Sequence, residues 1–160
     1  ITGDEKYAVS ESTAMKPEIV EWHENAFTMT DALGLCSRAT LSTYAILPED
    51  MAAMYETATG IPMTTEELTE ASRRIVLLER FFNMREGVRR EADTLPWRLM
   101  HEPLERPHNQ GTSMNSKEEM DGMLDRYYEL RGWDKNGLPT RETVEHYGLE
   151  DIINEEDFYK

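Results

Sequence analysis

Cysteine is almost absent from this chain. Its 160 residues contain one, Cys36, so no internal disulfide forms. One thiol also excludes a self-contained iron–sulfur site or a cysteine-rich zinc site, because each needs several ligands. Any cluster that Cys36 serves takes its other ligands from sequence outside this chain. A lone cysteine fits a reducing compartment, and a cytoplasmic location is expected. Basic residues are scarce as well: 17 Lys and Arg stand against 32 Asp and Glu, a formal net charge of −15. Phosphate backbones and anionic lipid surfaces demand positive charge, so neither nucleic acid nor membrane is expected as a partner. No apolar run approaches the length of a membrane span, and no secretory leader is visible. A Gly-rich phosphate loop, a recognisable nucleophile–base pair and internal repeats are also missing. The chain begins at Ile1, so a processed or trimmed piece of a longer protein is expected. Taken alone, the residues hold no self-sufficient active site.

What is present is helix. Hydrophobic residues make up 39% and charged residues 31%, which suits a globular domain with a real core. Residues 1–15 are polar and read as a connector or frayed end; 16–150 read as one helical domain; 151–160 read as an acidic tail. Pro17 opens a helix reaching to about Leu33, with Ile19, Val20, His23, Phe27 and Asp31 on one face. Residues 37–47 are ambiguous between a short strand and an irregular helix, and are expected to be helical or loop. Pro48 starts a second helix, with Met51, Met54, Tyr55 and Ala58 as its stripe and Gly60 as its stop. Thr64 and Glu67 form a capping box for a long helix to about Arg85, with Leu68, Ala71, Ile75, Leu78 and Phe82 as its stripe. Pro96 marks another helix start, and 101–115 read as a surface loop placed to lie over another domain. Ser116 and Glu119 make a second capping box, for a helix presenting Met120, Met123, Leu124, Tyr127 and Tyr128 and ending at Gly132. Thr140 caps a short last helix. The fold class is therefore all-α: an irregular multi-helix bundle around Phe27, Ile75, Leu78, Phe82, Leu124 and Tyr127.

One stretch combines unusual chemistry: Asp31-Ala32-Leu33-Gly34-Leu35-Cys36. The helix stripe ends in a carboxylate, Gly34 suits a left-handed terminating residue, and the only thiol follows. Spacing alone leaves two readings open. In one, Cys36 is a small buried hydrophobe and Asp31 faces water. In the other, acid and thiol are ligands.

Other motifs are bland. Asp134-Lys135-Asn136-Gly137 resembles a calcium loop, but its sixth position is Pro139 where glycine is required, which rejects it. His101-Glu102 lacks the second histidine of a zinc-protease helix. His108 and His146 are expected to be exposed, and His23 is expected to be a hydrogen-bonded core histidine. Met51, Met54 and Met84 read as core filling. Arg85, Arg89 and Arg90 stand beside Glu86 and Glu91, so surface ion pairing is expected.

Four blocks, in one order and spanning about residues 16 to 150, resemble a known family. They are Asp31-x-x-Gly34-Leu35-Cys36; Glu79-Arg80-x-x-Asn83-x-Arg85-Glu86-Gly87; Asp93-x-Leu95-Pro96-x-Arg98; and Tyr127-Tyr128-x-x-Arg131-Gly132-Trp133-Asp134 with Gly137 and Pro139. They are similar to the C-terminal part of the tungsten-containing aldehyde:ferredoxin oxidoreductases. The resemblance implies a multidomain enzyme that oxidises aldehydes to carboxylates. Its cofactors would be tungsten, or molybdenum, on two pterins and a [4Fe-4S] cluster, with ferredoxin as electron acceptor. It implies that Asp31, Gly34 and Leu35 meet the pterin and that Cys36 supplies the fourth cluster ligand. The other three would come from a C-x-x-C-x-x-x-C stretch in another domain of the same polypeptide.

Departures are local. Ser37-Arg38 replaces a basic and an aromatic residue, and Ser72-Arg73 replaces a small and an acidic one. The family's acid–base residues map upstream of Ile1, so no catalytic residue is carried over, and this chain alone is expected to be inactive and without a cluster. Two other readings compete. One is a stand-alone helical interaction module with Cys36 in its core. The other is a family member acting as an aromatic thioester reductase subunit.

Overall fold

The capped segments are where helices form. The computed structural model describes residues 3, 13–105, 112–113 and 116–153. Its helices are α1 (Lys16–Ala32), α2 (Pro48–Thr59), α3 (Thr65–Arg85), α4 (Trp97–His101), α5 (Lys117–Arg131) and α6 (Arg141–His146). A π-helical turn, Arg38–Ser42, separates α1 from α2, and a 3-10 turn, Arg90–Ala92, precedes α4. The only strands among the described residues are two residues long, β1 (Leu104–Glu105) and β2 (Thr112–Ser113), paired antiparallel with Leu104 opposite Ser113. The fold is all-α in class, as the periodicity indicates. The polar connector, most of the 101–115 loop, His108 and most of the acidic tail lie outside the described residues.

Both capping boxes form. The Glu67 N–H donates to Thr64 Oγ1 at 3.1 Å, and the Thr64 N–H donates back to Glu67 Oε2 at 2.8 Å. Ser116 and Glu119 repeat the arrangement at 3.1 and 3.0 Å. These bonds favour the ionised carboxylates, so both glutamates titrate below the usual range.

The chain divides into two compact units: Val20–Arg85, and Ile1–Ile19 with Glu86–Lys160. In the first, Met29, Met51, Ala52 and Leu68 form a buried cluster, with Leu33, Leu35, Ile46 and Met63 packed against it. The face that α1 buries is not its apolar stripe. Glu21, Asn25, Ala26, Met29 and Thr30 are buried, while Val20 and Phe27 are 46% and 48% exposed. On α3 the buried row is Leu68, Ser72, Val76, Leu77, Arg80, Phe81 and Met84, and Phe82 is 63% exposed. The expected core is thus corrected: Phe27 and Phe82 lie outside, and Ile75, Leu78, Leu124 and Tyr127 are only partly buried. Met51 and Met84 fill core space, but Met54 is exposed. The physical reason is mutual satisfaction of polar groups. Glu21 Oε1 accepts from Asn25 Nδ2 at 2.7 Å and from Arg73 Nε at 2.8 Å, so a polar row is packed at little cost. Burial opposes the Arg73 charge, and Glu21 and Glu70 outweigh it, raising its pKa.

In the second unit Tyr128, Trp133, Val144, Leu149 and Ile153 are buried. The Tyr128 hydroxyl donates to Asp93 Oδ2 at 2.5 Å, and the Arg90 guanidinium lies 5.2 Å from the Tyr128 ring centroid. Arg90 pairs with Asp125 at 2.7 Å, so its acidic partner comes from α5 rather than from the flanking glutamates. The Asp134 carboxylate accepts the N–H groups of Asn136 and Leu138 at 2.8 and 2.9 Å, which stitches a turn. Gly132, at φ 69, accepts no side chain: a Cβ there would stand 2.2 Å from Thr143 Oγ1.

Candidate functional site

The Asp31–Cys36 stretch lies wholly in the Val20–Arg85 unit. Helix α1 ends in a Schellman turn. The Gly34 N–H donates to the Asp31 carbonyl at 3.1 Å and the Leu35 N–H to the Thr30 carbonyl at 2.8 Å, with Gly34 left-handed at φ 68. Such turns are completed by an apolar contact from the residue after the glycine. Leu35 makes it, packing on the cluster that contains Met29. Leu35 is therefore an anchor by its side chain.

The polar groups of the same turn stay open. Asp31 and Cys36 are both exposed, and nothing lies within 4 Å of where a Gly34 Cβ would be. The reading of Cys36 as a core residue therefore fails, and with it the stand-alone module in that form. An acid in the last turn of a helix opposes the macrodipole, and α1 has no basic residue in that turn to offset it. Stability does not account for a carboxylate at this place.

Behind the thiol the backbone is tightly held. The Cys36 carbonyl accepts from the N–H groups of Ala39 and Thr40 at 2.9 and 3.3 Å, and from the Thr40 hydroxyl at 3.4 Å. Thr40 is buried, its hydroxyl 3.0 Å from that of Thr30, whose oxygen also lies 2.7 Å from the Ala26 carbonyl. The π-helical turn follows, closed by the Thr43 N–H on the Arg38 carbonyl at 3.1 Å. Single π-turns recur at functional sites. Tyr44 then adopts φ 51, a left-handed conformation that costs a residue other than glycine about 1–2 kcal/mol. Its hydroxyl lies 2.9 Å from Nε2 of His23 on α1, and Trp22 packs beside both rings. His23 is hydrogen-bonded, as expected, but only partly buried, which corrects its placement in the core.

The turn thus holds Asp31, Gly34, Leu35 and Cys36 on one short segment. It also recruits Thr30, Thr40, His23 and Tyr44, to none of which the sequence assigned a role there. Threonines on a buried helical face were the one available signal; a left-handed tyrosine leaves none. Among the described residues no three of His, Cys, Asp and Glu converge to hold a metal. The donor set here is one thiol and one acid. It fits one corner of a cluster and one polar edge of an organic ligand, and not a complete metal cage.

Residues 3–149 match the family model described as aldehyde ferredoxin oxidoreductase, domains 2 and 3. The tungsten-containing aldehyde ferredoxin oxidoreductase of Pyrococcus abyssi is 34% identical over 139 residues, which are 86% of this chain and 22% of that protein. The enzyme of the same description from Thermococcus kodakarensis is 35% identical over 126 residues, 78% of this chain and 20% of its own. Among solved structures, the active-site complex BamBC of benzoyl coenzyme A reductase, bound to 1,5-dienoyl-CoA, superposes with a TM-score of 0.69. It is 29% identical, and the match covers 90% of this chain and 20% of that one. This chain spans about a fifth of the length of the relatives it matches.

Proposed function

The chain belongs to the aldehyde ferredoxin oxidoreductase family, and we propose that it forms the helical part of a tungsten–pterin enzyme that oxidises an aldehyde to a carboxylate. The half-reaction takes an aldehyde and water to a carboxylate, three protons and two electrons, with ferredoxin as the acceptor. When bound, the pterin-held tungsten supplies the two-electron redox chemistry and a [4Fe-4S] cluster the one-electron exit. The observation that carries the reading is the Schellman turn itself, which holds Cys36 and Asp31 exposed while Leu35 ties the backbone between them to the core.

Each residue then has a physical task. Ionised Asp31 is acceptor-only and binds N–H groups of a pterin edge. Gly34 keeps that approach free of side-chain atoms, and Leu35 meets the pterin through its backbone. Cys36, as thiolate, is the fourth cluster ligand. The other three ligands, the acid–base residues and the remaining pterin contacts belong to other domains of the same polypeptide. The exposed apolar side chains Val20, Phe27 and Phe82 fit contact with such domains. No helix among the described residues is long and apolar enough to cross a membrane, and a cytoplasmic setting suits an exposed thiol.

The test is metal analysis of the intact enzyme with Cys36→Ala beside it. The substitution should strip the four-iron cluster, leave tungsten in place and end ferredoxin reduction. Four irons retained per chain would overturn the ligand assignment. The 160-residue chain alone should neither oxidise aldehydes nor retain iron. The likeness to the benzoyl coenzyme A reductase complex favours one second reading, reduction of an aromatic ring on a thioester. Assay of the intact enzyme with an aldehyde and with an aromatic CoA thioester separates the two.

A further inference from the structure

Cys36 sits at the start of an eleven-residue strap, 36–46, that is fastened to α1 at two places. The inner fastening is the buried Thr30–Thr40 hydroxyl contact at 3.0 Å. The outer one is the His23–Tyr44 hydrogen bond at 2.9 Å, seven residues back along α1. The π-helical turn contains the inner fastening, and the carbonyl of Ala39 closes the strap by accepting the N–H groups of Ala45 and Ile46 at 3.0 and 3.2 Å. Tyr44 holds a left-handed backbone to bring its phenol back over α1. Trp22, whose ring lies 5.1 Å from His23 and 6.3 Å from Tyr44, confines both rings. A strained residue persists when its surroundings over-determine it, and here a side-chain hydrogen bond does so.

We infer that His23 and Tyr44 are positioning residues for Cys36: their hydrogen bond clasps the strap to α1 and so sets where the sulfur stands. The coupling runs from His23 to the Tyr44 phenol, through the π-helical turn, to the Cys36 carbonyl held by Ala39 and Thr40. This inference rests on Cys36 as a cluster ligand. A bond to imidazole forms in both protonation states, since the phenol oxygen both donates and accepts.

The experiment uses the intact enzyme with Tyr44→Phe, His23→Ala, His23→Gln and the Tyr44→Phe/His23→Ala double variant. Two quantities are read: the rate of iron loss to a chelator, and the electron paramagnetic resonance spectrum of the reduced cluster. Tyr44→Phe and His23→Ala should each speed iron loss about fivefold, the factor one hydrogen bond of about 1 kcal/mol is worth, and shift the spectrum. The double variant should be no worse than either single one, because both remove one bond. His23→Gln, which keeps a hydrogen-bonding group, should return both readouts towards wild type. Unchanged iron loss and spectra in Tyr44→Phe and His23→Ala would overturn the inference, as would additive effects in the double variant. A lowered melting temperature with an unaltered spectrum would mark a merely structural pair and also overturn it. If Cys36→Ala keeps four irons, the ligand reading fails, and this inference falls with it.

Discussion

Helices α1 and α5 end alike. Gly34 and Gly132 are left-handed at φ 68 and 69, and in each case the following N–H reaches back five residues, Leu35 to Thr30 and Trp133 to Tyr128, both at 2.8 Å. Around Gly132 the residues on either side, Arg131 and Trp133, are buried, although Glu129 one turn back is exposed. Tyr128 and Trp133 are buried, and the Thr143 hydroxyl donates to the Gly132 carbonyl at 2.7 Å. Around Gly34 the backbone is equally well bonded, yet the acid and thiol on either side face outward. One local structure thus sits among buried side chains in one unit and leaves an acid and a thiol exposed in the other. A matching motif does not say which use it has; burial of the side chains around it does.

Substitution can break that comparison. Gly132→Ala should destabilise by about 3 kcal/mol, combining the left-handed penalty with displacement of Thr143, whereas Gly34→Ala should cost about 1 kcal/mol. Chemical denaturation of the two variants measures the difference, and equal losses would erase the contrast. Tyr128→Phe should cost about 1 kcal/mol, because it removes the hydroxyl's bond to Asp93, and a melting curve reads it. Asp31→Asn should raise stability by about 0.5 kcal/mol, since it removes an acid from a helix C-terminus, and in the intact enzyme it should weaken pterin retention. A matched loss of stability would mean that Asp31 serves the fold after all.

The smallest effect is acidic. Glu67 and Glu119 have depressed pKa values in the folded chain, so their stabilisation is complete above the unfolded value, 4.5, and is lost as pH falls through the folded values. Helicity should fray below pH 4.5, and Glu67→Gln with Glu119→Gln should flatten that part of a circular dichroism titration.

Helix ends were legible in the sequence because caps are local chemistry. Thr64 with Glu67, Ser116 with Glu119, and Gly60 and Gly132 each mark a boundary that the structure keeps. Helix faces were not legible in the same way. Periodicity finds an apolar row, but it does not say that this row is the covered one. On α1 the packed row contains Glu21 and Asn25, made tolerable by Arg73, a residue 52 positions away from Glu21 in sequence. The site divides similarly. Asp31, Gly34, Leu35 and Cys36 follow from one short motif, whereas Tyr44 depends on a backbone conformation that its own side chain discourages.

The three donors on the Cys36 carbonyl have a kinetic consequence. With that peptide fixed, the sulfur retains a single torsion and three staggered settings. If Cys36 is the cluster ligand proposed above, an arriving iron ion would meet a search over three discrete positions rather than a wandering loop. On that reading, cluster insertion at this corner should be limited by delivery of the metal, not by the protein finding its shape.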